Sequence, residues 1–343
     1  MKRVVVVGGG FAGSYVAKTL EKEFDVTLID TKDYFEFTPG VLRTIVEPNH
    51  LKKMQSKHKD YLKKAKIVVG CVDEIGKTFV KAGKRKLRYD YLAICSGSNY
   101  NPPIKEQGVV IILRASHLKA AHKNLKKAKR VLIIGGGLVG VELTAEICTH
   151  YPDKKIVLAH SGGHLTPRNN RKTSDYSERF FKKYGVELVF NEIIKSSKGK
   201  VFIAESGRKI KADMAFFSTG IKPNFEFMQK NFPKVLNEAN HIIVDENLRM
   251  KGQKNVFAAG DINSVVQEKT AQNSEWQAKI VARNIIALEN GKELEKYDSR
   301  KTLLIISLGK YDGIFEYKNI VFHGKIPAFL KWAIERWVMW RHS

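Results

Sequence analysis

The chain has 343 residues, 43% of them apolar, so it is expected to fold and is too long for a single ordinary core; two or three domains are anticipated. A net charge of +25 favours an anionic partner, and no stretch approaches the roughly 18–20 apolar residues a membrane-spanning helix needs. The three cysteines, Cys71, Cys95 and Cys148, form no CxxC pair, which argues against a disulfide framework and against a zinc or iron–sulfur site built from this chain's thiolates; no metal site is expected.

The chain opens with Met1-Lys2-Arg3 and the apolar run Val4-Val5-Val6-Val7, which ends at Gly8-Gly9-Gly10. A signal peptide needs an apolar core of about 7–15 residues, so the run is read as a buried first strand of a cytoplasmic protein. It leads directly into Gly8-Gly9-Gly10-Phe11-Ala12-Gly13, a GxGxxG spacing. A helix-like stretch over 14–23 follows, then the short apolar run 26–29 closed by Asp30, 17 residues beyond Gly13. Strand, glycines, helix, second strand and acid together make a dinucleotide fingerprint. The glycines permit a tight turn and close backbone approach to a pyrophosphate, the helix N-terminus faces the phosphates, and the acid accepts from a ribose hydroxyl.

Two basic runs come next. Residues 52–66 hold seven lysines against one acid, Asp60, and residues 119–130 hold six basic residues and no acid. They read as solvated helix faces or as attraction for an anionic partner. Between them, residues 66–91 alternate and contain turn signals at Gly76-Lys77 and Ala82-Gly83-Lys84, predicting a small antiparallel meander.

The fingerprint then repeats. Val131-Leu132-Ile133-Ile134 enters Gly135-Gly136-Gly137-Leu138-Val139-Gly140, 127 residues after the first, with a helix expected over 141–150 and a strand over 155–159. Two such units let one nucleotide stay bound while another arrives and leaves. The second strand pair ends in His160 where the first ends in Asp30. Without the acid, discrimination between NAD and NADP should be weak. Arg168, Arg171 and Lys172 lie downstream, as candidates for a 2′-phosphate or as plain surface charge.

With these segments, the sequence resembles the two-dinucleotide-binding-domain flavoproteins. Tyr91 to Ser98, including Ser96 and Gly97, is similar to the family's exit from the FAD domain. The stretch 217–224, with Gly220, is similar to the exit from the NAD domain. The stretch 255–261, with Gly260 and Asp261, resembles the second FAD motif, whose Asp binds the ribityl chain. The resemblance implies an α/β fold with two Rossmann-like units: an FAD domain at 1–104 and 241–300, an NAD(P)H domain at 105–240 inserted in it, and a C-terminal membrane-associating region at 301–343. It implies tightly but non-covalently bound FAD, with NADH or NADPH as substrate. Where disulfide reductases of the superfamily carry a cysteine pair, this chain reads Asp33 to Arg43 without cysteine, so electrons must leave to an acceptor outside the chain.

The subfamily resembled is that of the type II NADH:quinone oxidoreductases and the apoptosis-inducing-factor-like reductases, the ferroptosis suppressor proteins among them. The resemblance rests on 35–43, on 140–147, on Thr270-Ala271-Gln272 leading to Trp276 and Gln277, and on 303–313. Trp276 stands where the quinone reductases have a second Gln. On this reading Arg43 and Ala271 join the FAD site, Glu142 orients the nicotinamide, and a membrane quinone enters past Gln272 and Trp276.

The tail, 326–341, carries three of the four tryptophans. Phe329, Leu330, Ala333, Ile334, Trp337 and Trp340, with Val338 at the margin, form a broad apolar stripe, and Lys331 and Glu335 a narrow polar face. A basic, Trp-rich amphipathic helix reads as one lying in a membrane interface. The resemblance supports this, because type II quinone reductases are monotopic. The expected protein is therefore an FAD-dependent NAD(P)H:quinone oxidoreductase, peripheral on the cytoplasmic face of the membrane and attracted to anionic lipid. A ferredoxin or rubredoxin reductase and, more remotely, an apoptosis-inducing-factor-like binding protein are the alternatives. No specific nucleic acid is expected, and homodimerisation stays open.

Overall fold

The computed structural model describes residues 1–100, 109–111, 114–299 and 303–343. The expected domain boundaries at 104 and 300 lie outside these. Seven α-helices lie among the described residues: α1 (Phe11–Leu20), α2 (His58–Tyr61), α3 (Ala115–Lys127), α4 (Leu138–His150), α5 (Arg171–Lys183), α6 (Ala271–Glu289) and α7 (Lys325–Arg341).

The apolar run at the start forms the central strand, Arg3–Val7, of a five-stranded parallel sheet. The strand order is Val256–Ala258, Tyr91–Ile94, Arg3–Val7, Asp25–Asp30, Lys66–Val69. The run is continuous rather than alternating because both faces are covered. Val4 and Val6 face α1 and α6 with Leu20, Leu28 and Val281, whereas Val5 and Val7 face Ile75 and Val80 of the antiparallel meander Glu74–Ile75, Phe79–Ala82, Arg85–Arg88. The second unit repeats this plan. Its order is Val109–Ile111, Met214–Phe217, Arg130–Ile134, Lys155–Ala159, Glu187–Val189. Val131 and Ile133 face a helical layer with Phe181 and Leu125, while Leu132 and Ile134 face Phe202 and Ile210 of a second meander.

An antiparallel pair, Ser98–Tyr100 with Ile221–Pro223, bridges the units. A third small sheet, Leu304–Ser307, Gly313–Tyr317 and Ile320–His323, precedes α7. Its Ile306, Leu308 and Ile314 share a core with α4 and with Val41, Leu42 and Ile45 of the 3-10 helix Thr38–Ile45.

Several expectations are corrected. Residues 66–69 are a strand of the main sheet, so the meander begins only at Glu74. The basic run 52–66 is not a helix face. It is split between the 3-10 helix Pro48–Lys53, the strand Gln55–Lys57, the single turn α2 and the strand from Lys66, because Met54, Tyr61 and Leu62 must each enter the first core. Phe227, Met228 and Phe232 pack in the core on the meander side of the first sheet, with Val5, Val7, Ile75 and Val80. No described helix is long and apolar enough to cross a membrane.

Candidate functional site

Both glycine motifs form backbone cradles. At Gly8 the backbone has φ +96°, and an added Cβ would stand 2.3 Å from the Cys95 carbonyl oxygen; at Gly13 it would stand 1.7 Å from the Gly8 carbonyl oxygen. Helix α1 therefore lies directly against its strand. Gly10 faces open space, and α1 begins at Phe11-Ala12 with no side-chain cap, which leaves its first N–H groups for an anion. The second unit is built alike. A Cβ at Gly140 would stand 1.8 Å from the Gly135 oxygen, Gly137 is open, and α4 starts uncapped at Leu138-Val139. Chain, spacing and open cradle fit a pyrophosphate at each site.

Asp30 ends its strand, buried, with Oδ2 3.0 Å from His58 Nε2. His58 is wholly buried, and its Nδ1 lies 2.6 Å from the Tyr61 hydroxyl. The Asp30 carboxylate accepts, so Nε2 carries a proton, while the Tyr61 hydroxyl, which burial holds far above its ordinary value, lies against Nδ1. Oδ1 of Asp30 accepts only a long contact from the adjacent Thr31 Oγ1, at 3.5 Å, and keeps room for a ribose hydroxyl. His58 was hidden in the sequence inside a lysine run, and only the fold brings it to Asp30.

On the other side of the sheet, Ser98 Oγ donates to Asp261 Oδ2 at 2.7 Å, and the Gly260 N–H donates to Gln277 Oε1 at 2.6 Å. The two exit turns brace one another. Ser96 Oγ donates to the Asn224 carbonyl at 2.9 Å and Asn224 Nδ2 to the Ser96 carbonyl at 2.7 Å, beside Gly97 and Gly220. Ala271 opens α6 under a Thr270 cap; Gln272 is exposed and Trp276 half-buried beneath the Lys279 ammonium.

His160 Nδ1 accepts from the Gly136 N–H at 3.2 Å. Its Nε2 is buried and unpartnered among the described residues, and burial, with His164 nearby, lowers its pKa. Arg171 is committed to Asp175 at 2.8 Å, while Arg168 is mostly exposed, 4.0 Å from Glu268.

The α4 carboxylates point away from the cradle, towards the C-terminal segments. Glu142 Oε1 accepts from the Ser307 N–H at 2.9 Å, from Ser307 Oγ at 3.1 Å and from Lys331 Nζ at 2.9 Å. One turn on, Glu146 takes Arg43 at 3.0 Å. Arg43 is thus engaged across the two units, and its Nη2 also reaches the Gly309 carbonyl at 3.4 Å. A cavity of about 290 Å³ opens here between the 3-10 helix Thr38–Ile45, residues 309–311 and α7. Its floor includes Arg43, Glu146, Ser307 and Lys331, and its mouth Phe329 and Trp332.

Helix α7 sits with its polar face on the protein. Lys331 meets Glu142, Glu335 lies 3.4 Å from His50, and Arg341 forks onto Glu275 at 2.9 and 2.8 Å. Ile326, Phe329, Trp332, Ile334, Trp337 and Trp340 face outward. Of the expected stripe only Val338 is buried, because it packs against the first core.

Neither buried thiol is poised for exchange. Cys95 and Cys148 lie in separate cores, and burial pushes both up to about 12.

A doubly wound chain with two phosphate cradles and no thiol pair between them defines a nicotinamide-nucleotide-dependent flavoprotein. The chain belongs to the pyridine nucleotide-disulphide oxidoreductase family, whose model matches residues 2–278, and it is an FAD-dependent NAD(P)H oxidoreductase. It is 34% identical over 345 residues to apoptosis-inducing factor homolog B of Dictyostelium discoideum, covering 91% of this chain and 89% of that one. It is 29% identical to ferroptosis suppressor protein 1 of Taeniopygia guttata, covering 91% and 87%. In fold it is similar to the NDH2 of Plasmodium falciparum solved with NADH (TM-score 0.85, 16% identity, 99% and 96% covered). It is likewise similar to the sulfide:quinone oxidoreductase of Aquifex aeolicus (TM-score 0.88, 21% identity, 100% and 91% covered).

Proposed function

We propose that this protein moves a hydride from NADH or NADPH to FAD and then two electrons to a quinone held in a membrane, giving NAD(P)⁺ and the quinol with one proton taken up. The observation that carries this reading is the orientation of α7. A terminal helix that merely capped the body would bury its aromatic residues; here the Lys331–Glu142 and Arg341–Glu275 ion pairs and the His50–Glu335 contact hold the polar face inward, and the Trp-rich face is left for a lipid interface. The cavity opens beside that face, which suits an acceptor arriving from a bilayer.

Bound FAD supplies hydride acceptance and two-electron donation. The residues supply position and protons. The cradles at Gly8, Gly10, Phe11, Ala12 and Gly13 and at Gly135, Gly137, Leu138, Val139 and Gly140 hold the two pyrophosphates. Asp30 takes the FAD ribose and Asp261 its ribityl chain, with Ser96, Gly97, Gly260 and Ala271 close by. Gly220 and His160 border the nicotinamide nucleotide. Glu142 points away from the second cradle and holds Lys331, which keeps a proton at the cavity wall. Gln272 and Trp276, in the first turns of α6, do not line this cavity, so their part in admitting the acceptor rests on the family resemblance alone. Basic residues on α7, such as Lys325 and Arg336, add attraction to anionic lipid at roughly 1 kcal/mol per well-placed charge.

Anaerobic stopped-flow tests the reading. The flavin is reduced with NADH or NADPH and mixed with a short-chain quinone or with ferredoxin. Fast reoxidation by the quinone is expected; reoxidation by ferredoxin alone overturns it.

A further inference from the structure

His342, the residue after α7, is buried although α7 itself lies on the surface. Its ring stacks on Phe35 with centroids 3.8 Å apart and planes within 6°, and meets the edge of Tyr61 at 4.8 Å. Nε2 lies 3.2 Å from Ser14 Oγ and Nδ1 2.8 Å from the Val338 carbonyl. Its own carbonyl accepts from Ser56 Oγ. Because Nδ1 donates to a carbonyl, Nε2 of the neutral ring accepts from Ser14.

Each neighbour of this ring leads to one end of the first nucleotide cradle. Ser14 is in the opening turn of α1. Phe35 packs at 5.1 Å against Phe11, the residue that opens α1. Tyr61 holds His58, and His58 holds Asp30. One imidazole carried by the membrane-facing helix therefore buttresses both the phosphate end and the ribose end of the FAD cradle.

We propose that the seating of α7 and the retention of FAD form one linked equilibrium, with His342 as the positioning residue between them; this rests on the assignment of the first cradle to FAD and is independent of the acceptor. With the ring in place, Phe35 is covered, Ser14 is fixed, and the Tyr61–His58–Asp30 chain keeps one geometry. Without it, the wall behind the cradle is free to collapse. Coupling of this kind is reciprocal: whatever α7 adds to the affinity for FAD, FAD adds to the docking of α7.

Two measurements on the full chain test this. FAD release is followed by flavin fluorescence in the native protein, His342→Ala and His342→Phe, the last keeping an aromatic ring against Phe35. Release about tenfold faster from His342→Ala is expected, with His342→Phe close to native. In parallel, the native protein is stripped of flavin, and cleavage by trypsin at the exposed Arg336 is compared before and after FAD is restored. Faster cleavage without FAD, reversed by adding it, is expected in the native chain. FAD release at the native rate from His342→Ala, or α7 cleavage indifferent to FAD in the native chain, overturns the proposal. The second measurement needs no variant, so it decides the matter even if His342→Ala does not fold. Neither readout involves a quinone, so failure here is distinct from failure of the quinone reading.

Discussion

Lys331 Nζ lies 2.9 Å from Glu142 Oε1, joining the outermost helix of the chain to the helix that begins at the second cradle, 189 residues earlier. Both side chains are largely buried, and Lys331 also donates to the Ile305 carbonyl at 3.2 Å. A pair in this setting costs little while intact and much when halved, because the survivor is left charged and desolvated. Lys331→Met should lower stability by about 3 kcal/mol. Flavin reduction by NAD(P)H should stay near native, while reoxidation by a quinone slows at least about tenfold, a loss of about 1.4 kcal/mol in the transition state. Double-mixing stopped-flow separates the two half-reactions, and equal slowing of both would remove Lys331 from the acceptor side.

The outward aromatic face makes a prediction of opposite character. Trp332, Trp337 and Trp340 are 51%, 52% and 71% exposed. Replacing all three with Ser should shift the melting temperature by less than about 2 °C, since exposed positions contribute little to folding. Binding to vesicles containing anionic lipid should fall by about two orders of magnitude if each ring contributes on the order of 1 kcal/mol in the interface. Co-sedimentation with vesicles measures this. A large loss of melting temperature without loss of lipid binding would make the face a packing surface instead.

His160 stands where an acid would exclude a 2′-phosphate. Its Nδ1 accepts from the Gly136 N–H, so the neutral ring carries its proton on Nε2, which is buried without a partner among the described residues. His160→Asp should raise the KM for NADPH at least about tenfold and leave that for NADH near native. Steady-state kinetics with both nucleotides check it; an unchanged KM ratio would place the 2′ position elsewhere.

The pH dependence of stability follows from His342. Burial, with Arg341 and Lys18 nearby and the Val338 carbonyl opposing, pulls its pKa from 6.5 down to about 4. Between those values the unfolded chain binds the proton and the folded chain does not. This contribution is therefore complete above about pH 6.5 and is lost as the pH falls toward 4, on the order of 3 kcal/mol in all. Thermal melts from pH 7 to pH 4.5 should show it, and His342→Phe should flatten that part of the slope.

The two cradles were legible in the sequence because they are local: strand, glycine spacing and helix lie within about 30 residues of one another, and the backbone contacts that require Gly8, Gly13, Gly135 and Gly140 are made inside the same unit. The order of the remaining motifs then determined the fold. The end of α7 was legible as an amphipathic helix but not in its orientation. Periodicity tells which residues share a face, whereas the partners that draw the polar face inward, Glu142, His50 and Glu275, are far away in the chain. The same reason hid His58 within a basic run that looked like solvated surface. Its worth as a brace for Asp30 depends on burial and on its contact with Tyr61. Arg43, expected beside the cofactor, is held across the two units by Glu146. Local pattern thus decided which nucleotides the chain can cradle; long-range charge pairing, possible only once both units are packed, decided which surface faces outward and which side chains line the cavity beside α7.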